Sequence, residues 1–166
     1  MKRLALIFSF FSQCVFASFD MNENIQRSYS YILNLEFEKS IFLLEKEQVV
    51  NPENGFILLH KNYIDFLTIL ITEEIDYFES NKKFKDIRLD LIDDNDISSP
   101  YYLYSKAEIY LQWAFSRLKF EQYATAAYEF VKAYKLLQEN NKRFPEFSLN
   151  NKGLGLMHAL LGAVPK

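Results

Sequence analysis

A chain of 166 residues, 49% hydrophobic and 25% charged, has the length of one domain and the balance of a globular protein with its own core, which excludes disorder as its main state. Only 4 Gly and 4 Pro argue against a turn-rich β fold, while 17% aromatic residues supply large buried areas without covalent staples. The net charge of -3, with no clustered Lys/Arg face, excludes a nucleic-acid backbone as the natural partner.

The amino-terminal run MKRLALIFSFFSQCVFASFD places Lys2 and Arg3 ahead of an apolar stretch from Leu4 to Phe11, then offers Val15 and Ala17 before a cleavage point. Residues 1–17 read as a secretory signal peptide, and residues 18–166 as the mature domain. The stretch is interrupted at Ser12 and Gln13 and falls short of the roughly 20 apolar residues of a spanning helix, so no membrane span is expected after cleavage. Cys14 is the only cysteine, and cleavage after Ala17 removes it together with any disulfide, thiol nucleophile or Cys-metal site. Lipidation at Cys14 is the rival reading, but Phe11-Ser12-Gln13-Cys14 lacks the Leu and the small residue before Cys that a lipoprotein box wants. Loss of Lys2 and Arg3, with no acid, moves the charge from -3 to -5. The expected address is outside the cytoplasm: periplasm, cell envelope or secreted.

In chain order, Met21 to Tyr31 begins a helix capped by Asp20 or Asn22, and Phe37 to Glu47 continues after a break at Asn34-Leu35. Pro52, within Asn51-Pro52-Glu53-Asn54, has no backbone N–H and stops the second helix. Gly55 to about Ser80 is apolar on most of its circumference, through Tyr63, Ile64, Phe66, Leu67, Ile69, Leu70 and Ile71, and is expected to be the buried hub. Phe84, Ile87, Leu91 and Ile92 give a shorter helix with a 3.6-residue stripe, closed by the polar loop Asp93-Asp94-Asn95-Asp96. Ser98 and Ser99 place a capping hydroxyl before Pro100, which opens a long helix to about Leu118. Gln122 to Asn140 forms the return helix, and Gly153 to Ala163 a final helix with a nearly all-apolar surface.

The segment Ala107 to Ala133 places small and large apolar residues where two antiparallel helices must touch. Tyr110, Trp113, Ala114, Tyr123, Ala126, Phe130 and Ala133 follow the order of the tetratricopeptide (TPR) repeat. The amino-terminal hairpin offers Ser28, Phe37, Ser40, Leu44 and Pro52 at the matching places. Phe37 and Tyr123 are 86 residues apart, not a multiple of 34, the turn glycines are missing, the later terminator is displaced to Pro145, and Gly55 to Asp96 does not follow the repeat. The chain therefore resembles a divergent TPR-like array over about a third of its length, similar to secreted bacterial TPR proteins of unassigned role. The resemblance implies an all-α fold of antiparallel helical hairpins stacked as a short solenoid, peptide or protein binding in a groove, and no catalysis or cofactor. On that analogy the first helix of a hairpin faces the partner, which nominates Tyr102, Tyr110, Gln112 and Arg117 for partner contact. Repeat arrays need a polar outer face on their last helix. Gly153 to Ala163 lacks one, which predicts self-association through it or continuation of the array in a longer protein.

No catalytic constellation or metal site emerges from the remaining residues. His60 and His158 have no His, Cys or acid at i+3 or i+4 and read as half-buried or surface residues. Asp93, Asp94 and Asp96 fail as a Ca²⁺ loop, since counting from Asp94 the sixth position is Ser99 and the twelfth is Ser105. Lys152-Gly153-Leu154-Gly155 lacks the third glycine and the preceding strand of a phosphate cradle; its glycines read as easing helix packing. Glu73 and Glu74 read as solvated, and the dense aromatic series around Tyr101, Tyr104 and Tyr128 as mostly core. Asp65, an acid within the most apolar helix, motivates the alternative: an all-helical small-ligand-binding protein or enzyme with a pocket around it.

Overall fold

The computed structural model describes residues 19–163, so the expected signal peptide and Cys14 lie outside the described residues. Among the described residues seven helices follow one another: α1 (Glu23–Leu33), α2 (Phe37–Val50), α3 (Gly55–Thr72), α4 (Ile75–Asp93), α5 (Pro100–Lys119), α6 (Tyr123–Arg143) and α7 (Leu149–Ala163). The described residues contain no strand.

Local chemistry sets the boundaries. Asn22, Asn54 and Ser99 each accept a backbone N–H of the helix that follows, from Ile25, Phe56 and Tyr101, and Pro100 opens α5 where its missing N–H costs nothing. The three turns that lead from an odd-numbered to an even-numbered helix share one device. Leu35, Glu73 and Glu121 all take left-handed backbone, with φ of 60°, 56° and 58°. The N–H of Glu36 then reaches back to Tyr31 O (2.8 Å) and that of Gln122 to Arg117 O (2.9 Å), the six-to-one bond that satisfies a helix-end carbonyl. At the third turn, the Glu73 N–H returns to Ile69 O (3.1 Å).

Each helix packs on its successor, and the odd-numbered helices also pack in sequence, α1 to α3 to α5 to α7; among the described residues no two even-numbered helices pack along one another, and α4 reaches α6 through the Lys85–Glu129 ion pair. The most extensive of these contacts is the α5–α6 hairpin. Ala107, Ala114, Ala126 and Ala133 are fully buried, which lets the two backbones approach, and Trp113 and Phe130 fill the space beside them. The α3 helix meets α1, α2, α4 and α5, as expected of a hub, and half of it is buried although it is long and apolar enough to cross a membrane.

Four expectations are corrected. The segment Gly55 to Ser80 is not one helix: it breaks at Glu73-Glu74, and α4 then runs unbroken to Asp93. Its buried side is Phe78, Arg88, Leu89 and Ile92, whereas Phe84, Ile87 and Leu91 are exposed, because the apolar stripe competes with a polar ridge that satisfies buried partners. His60 is fully buried: its Nδ1 lies 3.1 Å from Ser28 Oγ, and its ring stacks on Tyr29, a neutral imidazole serving as core. The last helix also begins four residues early, at Leu149.

Candidate functional site

Where α3 crosses α5, polar side chains from both are tied into one buried relay. The Asn62 side chain receives Trp113 Nε1 and Arg88 Nη1, each at 2.9 Å. An indole and a guanidinium only donate, so the receiving atom is the Asn62 oxygen and its orientation is fixed. Its NH2 group therefore faces Gln112 and donates to Gln112 Oε1 at 2.6 Å, which turns the Gln112 oxygen inward as well. On the other side, Arg88 donates to Asp65, and Tyr77 donates to the second Asp65 oxygen at 3.0 Å. Burial and the Asp65 charge push the Tyr77 hydroxyl up to about 12.

Beside this relay lies an open groove of about 180 Å³ between α3, α5 and α7. Tyr63 and Phe66 of α3, Leu111 and Phe115 of α5, and Gly153 and Leu156 of α7 give it a largely apolar lining. Its polar groups are Glu108, Gln112 and Lys152. Glu108, only 4% exposed, accepts the Tyr63 hydroxyl, and Lys152 Nζ stands 3.8 Å from the same carboxylate oxygen. Burial, and then the Glu108 charge, hold the Tyr63 and Tyr104 hydroxyls well above the ordinary range, so both stay protonated donors. A larger groove of about 380 Å³ between α1 and α2 is lined by Arg27, Tyr31, Phe42, Lys46 and their neighbours; its Arg27 and Lys39 are more than half exposed.

Of the four residues nominated for partner contact, Gln112 alone lines either groove. Tyr102 donates to Asp93 at 2.6 Å, and Tyr110 lies under Lys85. Arg117 joins Glu129 (3.0 Å) and Gln122 (2.6 Å) on the α6 side. Along α5, Tyr110 and Arg117 share one side of the helix and Gln112 falls on the opposite one, as a 100° step per residue requires, with Tyr102 between them. Asp65 lines neither groove. Asn62, Arg88 and Glu108 escaped the sequence reading, and Tyr63 entered it only as part of the apolar hub. The available signal was polarity in the wrong place: Asn62 inside the most apolar helix and Glu108 one residue after the buried Ala107.

Other polar groups are occupied by structure. Glu129, fully buried, is bound by Lys85 at 2.8 Å as well as by Arg117; burial alone would lower the Lys85 ammonium, but the Glu129 bond raises it above its usual value. Glu47 accepts Asn22, Asn24 and Asn54 amides, which outweigh the burial that opposes them and hold its carboxyl below the usual range. Ser28 and His60 have the atoms of a nucleophile and base, yet both are buried within 2% of complete exclusion, out of reach of a substrate. In the acidic loop, Asp93 takes Lys106 and Tyr102 while Asp96 takes Ser98; among the described residues no three His, Cys, Asp or Glu side chains converge as metal ligands do. Compared with known proteins, the chain matches no family model, no curated protein and no solved structure.

Proposed function

We propose that this chain is an exported, TPR-like scaffold that binds a protein or peptide partner along the face shared by its odd-numbered helices. One observation carries the reading: odd helices pack along odd helices in sequence, whereas even helices pack along odd ones and meet each other through a side-chain ion pair, Lys85–Glu129. That is the layering a stack of helical hairpins produces, and it leaves one continuous row of helices available to a ligand. The groove of Gln112 and Glu108 lies in this row, between α3, α5 and α7. Export rests on Lys2, Arg3 and the apolar run that follows them. The alternative reading, a small-ligand or enzyme pocket around Asp65, draws no support from that residue, whose oxygens are taken by Arg88 and Tyr77.

A photo-crosslinking residue at Lys152, on the odd face, and another at Lys132, on the exposed side of α6, would be compared in envelope extract. A partner captured from position 152 and not from 132 is the expected result. Turnover of a small substrate by the purified protein, with no partner captured from either position, would reject the scaffold.

A further inference from the structure

The relay through Asn62 has a consequence at its groove end. With Gln112 Oε1 held by Asn62, the Gln112 NH2 cannot turn away to find a partner, and its nitrogen is buried with no hydrogen bond inside the protein. The residue is 4% exposed. A buried N–H left unpaired is costly, so a fold that locks one in place beside a cavity has a donor waiting for an acceptor. One helical turn away, Glu108 is equally buried and offers the opposite character, a carboxylate. Between and around them stand Phe66, Leu111, Phe115 and Leu156. The cavity of about 180 Å³ is ring-sized, since an apolar cavity of about 150 Å³ already admits benzene.

We infer that this groove is the anchor site for one bulky apolar residue of a peptide partner, read together with its own peptide groups. Gln112 Nε2 donates to the anchor residue's backbone carbonyl, Glu108 accepts a backbone N–H, and the side chain enters between Phe66 and Phe115. An extended peptide supplies all three features within one residue; a purely apolar ligand leaves both polar groups unpaired, and an anionic one meets Glu108. The inference rests on the scaffold reading and names the chemistry of its ligand. Gln112 is then a specificity-determining residue, positioned from behind by Asn62, Arg88 and Asp65.

N-acetyl-phenylalaninamide is the probe, titrated into ¹⁵N-labelled protein with N-acetyl-glycinamide and toluene as controls. The expected result is saturable movement of the Gln112 side-chain amide and the Gly153 backbone amide with the first probe and none with the glycine analogue. Gln112→Glu, measured at pH 8, keeps an oxygen toward Asn62 and replaces the donor, and should weaken binding about five- to tenfold, the worth of one hydrogen bond. Leu156→Trp fills the groove from an exposed position, so it tests the site even if the buried variant fails to fold, and should abolish binding. Unchanged affinity in either folded variant, no movement of groove resonances in the wild type, or toluene binding as well as the amide would overturn the anchor. A crosslinked partner that binds Leu156→Trp as tightly as wild type would also overturn it, while leaving the scaffold reading intact.

Discussion

Ser28 Oγ and Ser40 Oγ meet at 2.8 Å in the buried seam between α1 and α2. Twelve residues separate them, as twelve separate Ala114 from Ala126 in the α5–α6 hairpin, and all four side chains are fully buried. Both hairpins use their smallest side chains at the crossing, but the first closes it with hydroxyls, and Ser28 also bonds His60. Ser28→Ala strands Ser40 and His60 at once and should cost about 1–3 kcal/mol in urea unfolding. The double variant Ser28→Ala/Ser40→Ala should cost less than the two single variants added together, because it removes one of the stranded groups.

His60 makes the same seam sensitive to acid. Burial lowers its imidazole from 6.5 to about 4, so between those values the unfolded chain takes up a proton that the folded chain refuses. The contribution of neutral His60 is complete above pH 6.5 and is lost as the pH falls toward 4, up to about 3 kcal/mol in all. Unfolding free energies at pH 7 and pH 4.5 should therefore converge more closely in His60→Gln than in the wild type. An equal drop in both proteins would show that carboxylates elsewhere carry the acid sensitivity.

Asp65 is predicted to matter for stability. Its replacement by Asn leaves the Arg88 guanidinium, itself only 10% exposed at the side chain, without its counter-charge, though Asn62 still accepts one of its N–H groups. The loss should be about 2–4 kcal/mol, below that of a fully buried orphaned charge because one bond persists. Denaturant midpoints of Asp65→Asn and of Asp65→Asn/Arg88→Met give the measurement; the double variant should recover part of the loss.

The odd-to-even turns carry removable strain. Left-handed backbone costs a non-glycine residue about 1–2 kcal/mol, against about 0.5–1 kcal/mol of extra unfolded-state entropy for glycine. Leu35→Gly and Glu121→Gly should each stabilise by up to about 1 kcal/mol, since both side chains are exposed. Glu73→Gly should gain less, because Glu73 also pairs with Lys119 at 2.5 Å. Thermal midpoints should place Glu73→Gly below the other two.

These same turns explain what could be read from the sequence. Small residues at fixed spacing make Ala107 to Ala133 a hairpin, and caps at Asn22 and Ser99 are local, so both were legible. The break at Glu73-Glu74 was not, because it uses neither Gly nor Pro, and a glutamate in left-handed backbone leaves no mark on the sequence. The groove was hidden for another reason. Asn62 meets Arg88 across 26 residues, Gln112 across 50 and Trp113 across 51, and only tertiary packing brings those positions together. Gln112, nominated by analogy with a helix face, lines the groove, whereas Tyr102, Tyr110 and Arg117, nominated with it, do not.

The two glycines of α7 offer the last prediction, because they look alike in sequence and differ in packing. A methyl group added at Gly153 would lie 2.6 Å from Leu137 Cδ1, and Leu137 is fully buried in α6, so its side chain would have to shift. At Gly155 an added methyl meets nothing within 4 Å. Alanine is favoured over glycine in a helix interior by about 1 kcal/mol. Gly155→Ala should therefore stabilise by up to that amount, whereas Gly153→Ala must displace the Leu137 side chain or push α7 off α6 and should be neutral or destabilising by about 1 kcal/mol. Since Gly153 also lines the groove, a shift of α7 would widen it, and binding of N-acetyl-phenylalaninamide should weaken in Gly153→Ala while staying unchanged in Gly155→Ala. Equal stabilisation by both substitutions would mean that α6 and α7 are not in close contact at this point.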